Sequence, residues 1–190
     1  GRQTTVVLEI RTNEAPFFFF FWPKLPDGCL PMAPLRDGRP IPPSTMEFDQ
    51  PLTVAPTFGV AWYGQSTLLA HRSGRQFAQN FDNCRTEIIE AGRSVILHLS
   101  DSIAEIGLEL TLSLDTHDML RLQSRLVNQG SDVLDVQWLA AGCIPLPGNA
   151  HQVRSYCGQW ANEFQLQVDE LSRNLWQREN RRGRTSHDTF

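Results

Sequence analysis

The chain has 190 residues, 41% of them hydrophobic and 20% charged, with a formal net charge of −4. That is the composition of a folded domain with a real core, not of a disordered chain. The mildly acidic balance argues against a nucleic-acid or anionic-membrane binder.

In chain order, residues 4–10 are rich in β-formers and predict a strand. Residues 17–22 form an aromatic run between Pro16 and Pro23, far too short to span a bilayer. The run predicts a strand or strand-to-loop segment buried on both sides, because exposed it would be an aggregation hazard. Cover by a partner domain or subunit is the sharper form of that reading. No basic-then-apolar signal pattern precedes it.

Residues 23–56 hold most of the prolines. Proline removes ladder donors, so central strands are not expected there. The segment also carries Leu25, Leu30, Met32, Leu35, Ile41, Met46 and Phe48, which a solvated linker would lack. It reads as an ordered excursion over the domain, and long excursions of this kind are often functional.

Further on the dominant period is two. Val95, Leu97 and Leu99 alternate with Ile96, His98 and Ser100, a strand expected to be buried on both faces. From Ala104 the even positions Ile106, Leu108, Leu110, Leu112 and Leu114 are apolar and the odd positions polar or small. Residues 115–118 make a turn, with Asp115 and Asp118 as turn formers. Leu120, Leu122 and Leu126 continue the pattern, and residues 128–131 turn again, with Gly130 expected at positive φ. Leu134, Val136, Trp138 and Ala140 predict a third strand. The three runs together read as an antiparallel meander with one wet face. Phe164, Leu166 and Val168 predict one more strand, while residues 171–176 read as strand or helical turn.

Catalytic signatures are absent from the sequence. There is no nucleophile elbow, phosphate-binding glycine loop, dinucleotide fingerprint or zinc-protease helix. His71, His98, His117, His151 and His187 are scattered, and the carboxylates show no spacing that argues for a catalytic pair. Cys29, Cys84, Cys143 and Cys157 form no C-x-x-C pair, so neither metal nor cofactor is expected. Free, mostly buried thiols in a reducing cytoplasm are the default, with a Cys143–Cys157 bridge as an open alternative. Lys24 is the only lysine, and arginine usage hints at a GC-rich bacterial source. The arginines at 178, 181, 182 and 184 read as a solvated terminal segment or an interdomain salt-bridge face.

Five stretches carry a resemblance. They are the aromatic strand leading into Trp22-Pro23, the paired runs at 107–110 and 118–121, the strand-then-turn at 125–130, the block Gly158-Gln159-Trp160-Ala161-Asn162-Glu163, and Arg182-Gly183-Arg184-Thr185-Ser186-His187. In order and spacing they resemble the N-terminal β-sandwich of family thirty-six glycoside hydrolases, the α-galactosidases. Pro23 stands where that family carries glycine.

The resemblance implies an all-β fold, a large antiparallel β-sandwich of the galactose-mutarotase-like supersandwich kind. It implies that residues 1–190 are one N-terminal domain of a larger bacterial enzyme, whose catalytic (β/α)₈ barrel lies outside this chain. The parent would hydrolyse terminal α-galactosides such as melibiose and raffinose with retention, through a carboxylate nucleophile and a second carboxyl acting as acid then base. Neither catalytic motif matches any position here, so the chain alone is expected to be inactive. The expected partners are the downstream barrel, further copies of the full enzyme, and galactoside near the subunit interface. Nucleic acid and membrane are not expected, and the location would be cytoplasmic.

By the same resemblance Asp49 could accept sugar hydroxyl hydrogen bonds and Trp62 could stack on a pyranose face. Gly158, Trp160, Glu163, Arg184, Ser186 and His187 would be structural or interdomain residues, with Trp160 half-buried and Glu163 pairing with Arg184. Two competing readings are a stand-alone carbohydrate-binding sandwich and a mutarotase-type epimerase. The latter would need a histidine and a glutamate converging on a sheet face, and His98 is the candidate base.

Overall fold

The leucine alternation of residues 106–114 is the spine of the molecule. In a computed structural model, which describes residues 3–21, 23–26, 28–29, 53–62, 64–146, 150–171 and 176–180, it forms β6 (Ile106–Leu114). Leu108, Leu110 and Leu112 are buried, while Glu109, Thr111 and Ser113 on the other face stay half-exposed. The strand sits in a four-stranded antiparallel sheet with β4 (Asn83–Ile89), β5 (Ser94–Asp101) and β7 (Leu120–Asn128), in the order β4-β5-β6-β7. Register places Leu99 against Leu108 and Leu97 against Leu110, and Leu108 against Leu126. One continuous apolar face results. Burying each leucine contributes about 2 kcal/mol.

Facing this layer are shorter strands. β1 (Val6–Glu9) pairs with β2 (Phe17–Phe21), and β3 (Leu68–His71) pairs with β8 (Asp135–Leu139), both antiparallel. Phe18, Val54, Leu68, Ala70 and Phe81 join the leucines of β5 and β6 in one core, with Val6 and Leu8 packed against it. The result is the antiparallel β-sandwich that the alternation predicts, with no α-helix among the described residues. Contacts divide the chain into two compact units, Gly1–Pro145 and Leu146–Phe190. In the second unit, β9 (Gln152–Gln159) and β10 (Asn162–Glu170) form an antiparallel ribbon.

Residues 17–21 of the aromatic run form a strand, as expected, and Trp22 lies outside the described residues. The strand's double burial holds at Phe17 and Phe18, which point to opposite faces, while residues 19–21 are half-buried.

Four expectations change. β5 is not buried on both faces: Leu97 and Leu99 are buried, but Ile96, His98 and Ser100 are half-exposed. Cross-strand neighbours explain this, because His98 pairs with Arg85 on one side and Glu109 on the other, a charged row that keeps this face wet.

The third run, β8, does not extend the meander beyond β7 but crosses to pair with β3. Arg72, buried just after β3, decides it. Its guanidinium donates to the carbonyls of Ala104 (3.3 Å), Glu105 (3.1 Å) and Asp132 (2.5 Å) and to Asn128 Oδ1 (2.6 Å). It ties the turn after β7 to the end of β3, so the chain leaves that turn alongside β3. A bulge between Leu69 and Ala70 then skips Gln137 in the pairing, Leu139 reaches the core, and Val136 and Trp138 are exposed.

Gly130 does not take positive φ. A Cβ there would lie 2.7 Å from Glu105 Oε2 and 2.8 Å from an Arg72 guanidinium nitrogen, so the glycine makes room for the same knot. Finally, the thiols are not mostly buried: all four cysteines are free, as the default reading has it, but Cys29 is exposed and Cys84, Cys143 and Cys157 are half-exposed. Burial pushes the Cys143 and Cys84 thiols up from their ordinary value.

Candidate functional site

Trp62 lies in a loop whose base is rigid and whose tip is aromatic. At the base Thr57 is buried and its Oγ1 donates to the Gln79 carbonyl at 2.6 Å. The Thr67 amide donates to the Pro56 carbonyl at 2.8 Å, and Ser66 Oγ to the Leu68 carbonyl at 2.7 Å. A 3₁₀ turn, Phe58–Val60, follows the base, and Ala61 in the left-handed region (φ 57°) ends it. Gly59 is required there: a Cβ would sit 2.2 Å from the Gln79 carbonyl oxygen.

The indole is held in place. Its Nε1 donates to the Gln65 carbonyl at 3.2 Å, and the ring packs so closely over Gly64 that a Cβ there would lie 2.8 Å from it. Trp62 is half-buried and Phe58 is exposed beside the turn. The described residues of this loop, 57–62 and 64–66, contain no ionisable side chain. These described residues can bind by stacking and by backbone groups, but they offer no acid or base to catalyse with.

The second predicted cluster is brought together in the β9–β10 ribbon. Gly158 allows close approach, since a Cβ there would be 2.5 Å from the Asn162 carbonyl oxygen. Glu163 Oε1 accepts from the Ala161 amide at 3.1 Å and helps close the turn. Trp160 is not half-buried as expected: it is 79% exposed, because it occupies the turn at the tip instead of a strand face. Asp49, Arg184, Ser186 and His187 lie outside the described residues, and so does the expected Glu163–Arg184 pair.

His98 marks a third place. On the wet face of the four-stranded sheet its Nε2 is 3.5 Å from Glu87 and its Nδ1 is 3.7 Å from Glu109. Glu109 is also held by Arg125 at 2.9 Å. A histidine and two glutamates therefore do converge. The surrounding residues are those of an open sheet face. The cleft of about 340 Å³ in this unit lies on the opposite side, lined by Val6, Leu8, Ile88, Val95, Leu112 and Leu120 among others. An exposed row of this kind is a solvated ion network and has no wall to exclude water or orient a sugar.

Sequence reasoning missed Arg72 and Gly59. Periodicity gives no weight to a charge placed after a short strand, and Gly59 has no turn signature beside it. No group of three or more histidine, cysteine or acidic residues able to hold a metal occurs among the described residues. No helix there is long and apolar enough to cross a membrane.

Residues 24–190 match the model of the glycosyl hydrolase family 36 N-terminal domain. The chain belongs to that family. An α-galactosidase of Escherichia coli is 27% identical over 165 residues, which is 87% of this chain and 22% of that protein. In structure, the family 36 α-galactosidase AgaB of Geobacillus stearothermophilus aligns over 98% of this chain and 29% of its own, with a TM-score of 0.78 at 14% identity. An AgaA variant from the same organism, solved with stachyose, aligns over the same shares with a TM-score of 0.77 at 16% identity. The likeness to these structures shows the fold. The family 36 N-terminal domain accounts for the sandwich, and it spans less than a third of the relatives that carry it.

Proposed function

We propose that this chain is the accessory N-terminal domain of an α-galactosidase. On this reading the parent hydrolyses terminal α-galactosides such as melibiose and raffinose, with retention, on a downstream barrel. The sandwich supports domain packing and oligomer assembly in a cytoplasmic bacterial enzyme. The observation that carries the reading is the family match over residues 24–190, together with a relative named as an α-galactosidase that is 27% identical and far longer. Within this chain Trp62 faces the galactoside, and Asp49 adds hydrogen bonds to it near a subunit interface. In support, the indole is already immobilised by Gln65 and Gly64, so little ordering entropy remains to be lost on binding. Gly158, Trp160 and Glu163 shape the ribbon that meets the rest of the enzyme, with Arg184, Ser186 and His187 continuing towards it.

Convergence of Glu87, His98 and Glu109 favours the epimerase reading more than the sequence did, but the open face around them supplies no pocket. The deciding experiment is hydrolysis of a p-nitrophenyl α-galactoside by the whole parent and by this chain alone. Turnover by the parent and none by the chain is the expected result. Turnover by the isolated chain, or an inactive parent, refutes the assignment.

A further inference from the structure

A cleft of about 340 Å³ opens between β1 and the inner face of the four-stranded sheet, within the unit Gly1–Pro145. Its floor follows from the ladder. Ile88 pairs with Val95 and Val95 with Leu112, so one apolar row runs inward from the edge strand. The row descends as it goes, since Ile88 is 72% exposed and Leu112 is buried. Alternation in β1 makes the opposite wall: Val6 and Leu8 pack on the core, and Ile10, 46% exposed, forms the second lip. Thr4 also lines the cleft. It is buried, and its hydroxyl has no hydrogen-bond partner among the described residues. Arg93 is the one ionisable side chain in the described lining. Its Nη2 donates to the Leu114 carbonyl at 3.1 Å, which fixes the guanidinium and leaves its other donors available. Thr4 and Arg93 lie at the same end of the cleft, beside the β6–β7 turn. There the amide of Gln3, next to Thr4, donates to Asp118 at 2.8 Å, and Asp118 itself is not part of the lining.

We infer that this cleft binds a medium-chain aliphatic carboxylate, its head between Thr4 and Arg93 and its chain packed between β1 and the Ile88–Val95–Leu112 row. Charge and surface select this ligand together. A guanidinium with no carboxylate beside it in the described lining favours an anion, and its planar fork matches a carboxylate edge. The buried Thr4 hydroxyl gains the partner it lacks, which a polar group in such a setting needs. The apolar walls favour methylenes, each adding about fourfold in affinity when buried. A volume at the low end for small-molecule sites suits a slim chain of about eight carbons. A sugar would leave its hydroxyls unpaired against the apolar row, and a bare hydrocarbon would leave Thr4 and Arg93 unused. The inference does not depend on what the parent enzyme hydrolyses.

The test is calorimetric titration of butanoate, hexanoate and octanoate into the parent enzyme and into this 190-residue chain. The expected result is a single saturable site whose affinity rises about threefold to fourfold per methylene. Arg93→Gln should weaken octanoate about tenfold and leave octanol unchanged. Ile88→Asp, on the exposed lip, should abolish octanoate binding at unchanged Tm. Ile103→Asp, also exposed but on the turn between β5 and β6, should change nothing. No saturable binding, an affinity independent of chain length, or an Arg93→Gln loss shared by octanol overturns the proposal. So does binding to the isolated chain that is absent from the parent, which would make the cleft a seam between domains.

Discussion

Arg72 carries more of the fold than any other charged residue described. Its guanidinium satisfies carbonyls from two separate turns and an asparagine side chain, and its bonds to the Ala104 carbonyl are buried. Arg72→Ala strips several charge-assisted hydrogen bonds at once and takes this partner from the buried Ala104 carbonyl. We expect a loss of about 3 kcal/mol or more, read as a lower urea midpoint. Arg72→Lys should not restore it, because a point charge cannot reproduce the planar fork. Asp115 works at the surface. Its carboxylate accepts from the Met119 and His117 amides at 3.0 and 2.8 Å, and these bonds hold it below its usual value of 3.8. A lowered folded-state value means stabilisation that is present above the unfolded value and lost as pH falls through the folded one. The gap in urea midpoint between the native chain and Asp115→Ala should therefore be full at pH 7 and shrink progressively below about pH 4.

At the level of elements, β6 is the strand on which the sandwich depends. Leu108 is fully buried between Leu99 and Leu126 on its neighbours. Leu108→Ala should cost about 3 kcal/mol, since neighbours on both sides limit how far the cavity can collapse. Thermal unfolding measures it, and a change under 1 kcal/mol would mean the two layers close over the gap. β6, β7, β1 and β2 were legible in the sequence because alternation or an aromatic run marks them. β3, β4 and β9 were not. β3 is four residues long and half polar at its end, β4 reads as a mixture of charges and isoleucine, and β9 alternates weakly. Such strands are held by their ladders, and a ladder is invisible until the partner strand is known.

In the whole molecule the candidate site has meaning only with what surrounds it. The Trp62 loop has a hydrogen-bonded base and an immobilised ring, and its described residues hold no acid or base, so on the proposed reading its contribution shows only in the parent enzyme. If the proposed function holds, Trp62→Ala in the parent should lower kcat/KM for raffinose about three- to tenfold, the value of one aromatic contact, with little change in Tm. Unchanged kinetics would reduce Trp62 to loop packing. The predicted cluster at 158–163 was legible as a motif, but its shape was not. A tryptophan in a sequence motif suggests burial, and only the hairpin register reveals that Trp160 sits at a turn, outside either strand face.

The sequence by itself determined the fold class, the polar and apolar faces of β6 and β7, and membership of a glycosidase family. Those follow from local periodicity and from ordered motifs, which are properties of the linear chain. Tertiary structure alone decided that β8 turns back to β3, that His98 meets two glutamates on an open face, and that Gly130 makes room for Arg72. Each of these brings together groups from separate strands and turns, in a shared volume or along a shared ladder, and no pattern along the chain records which groups meet.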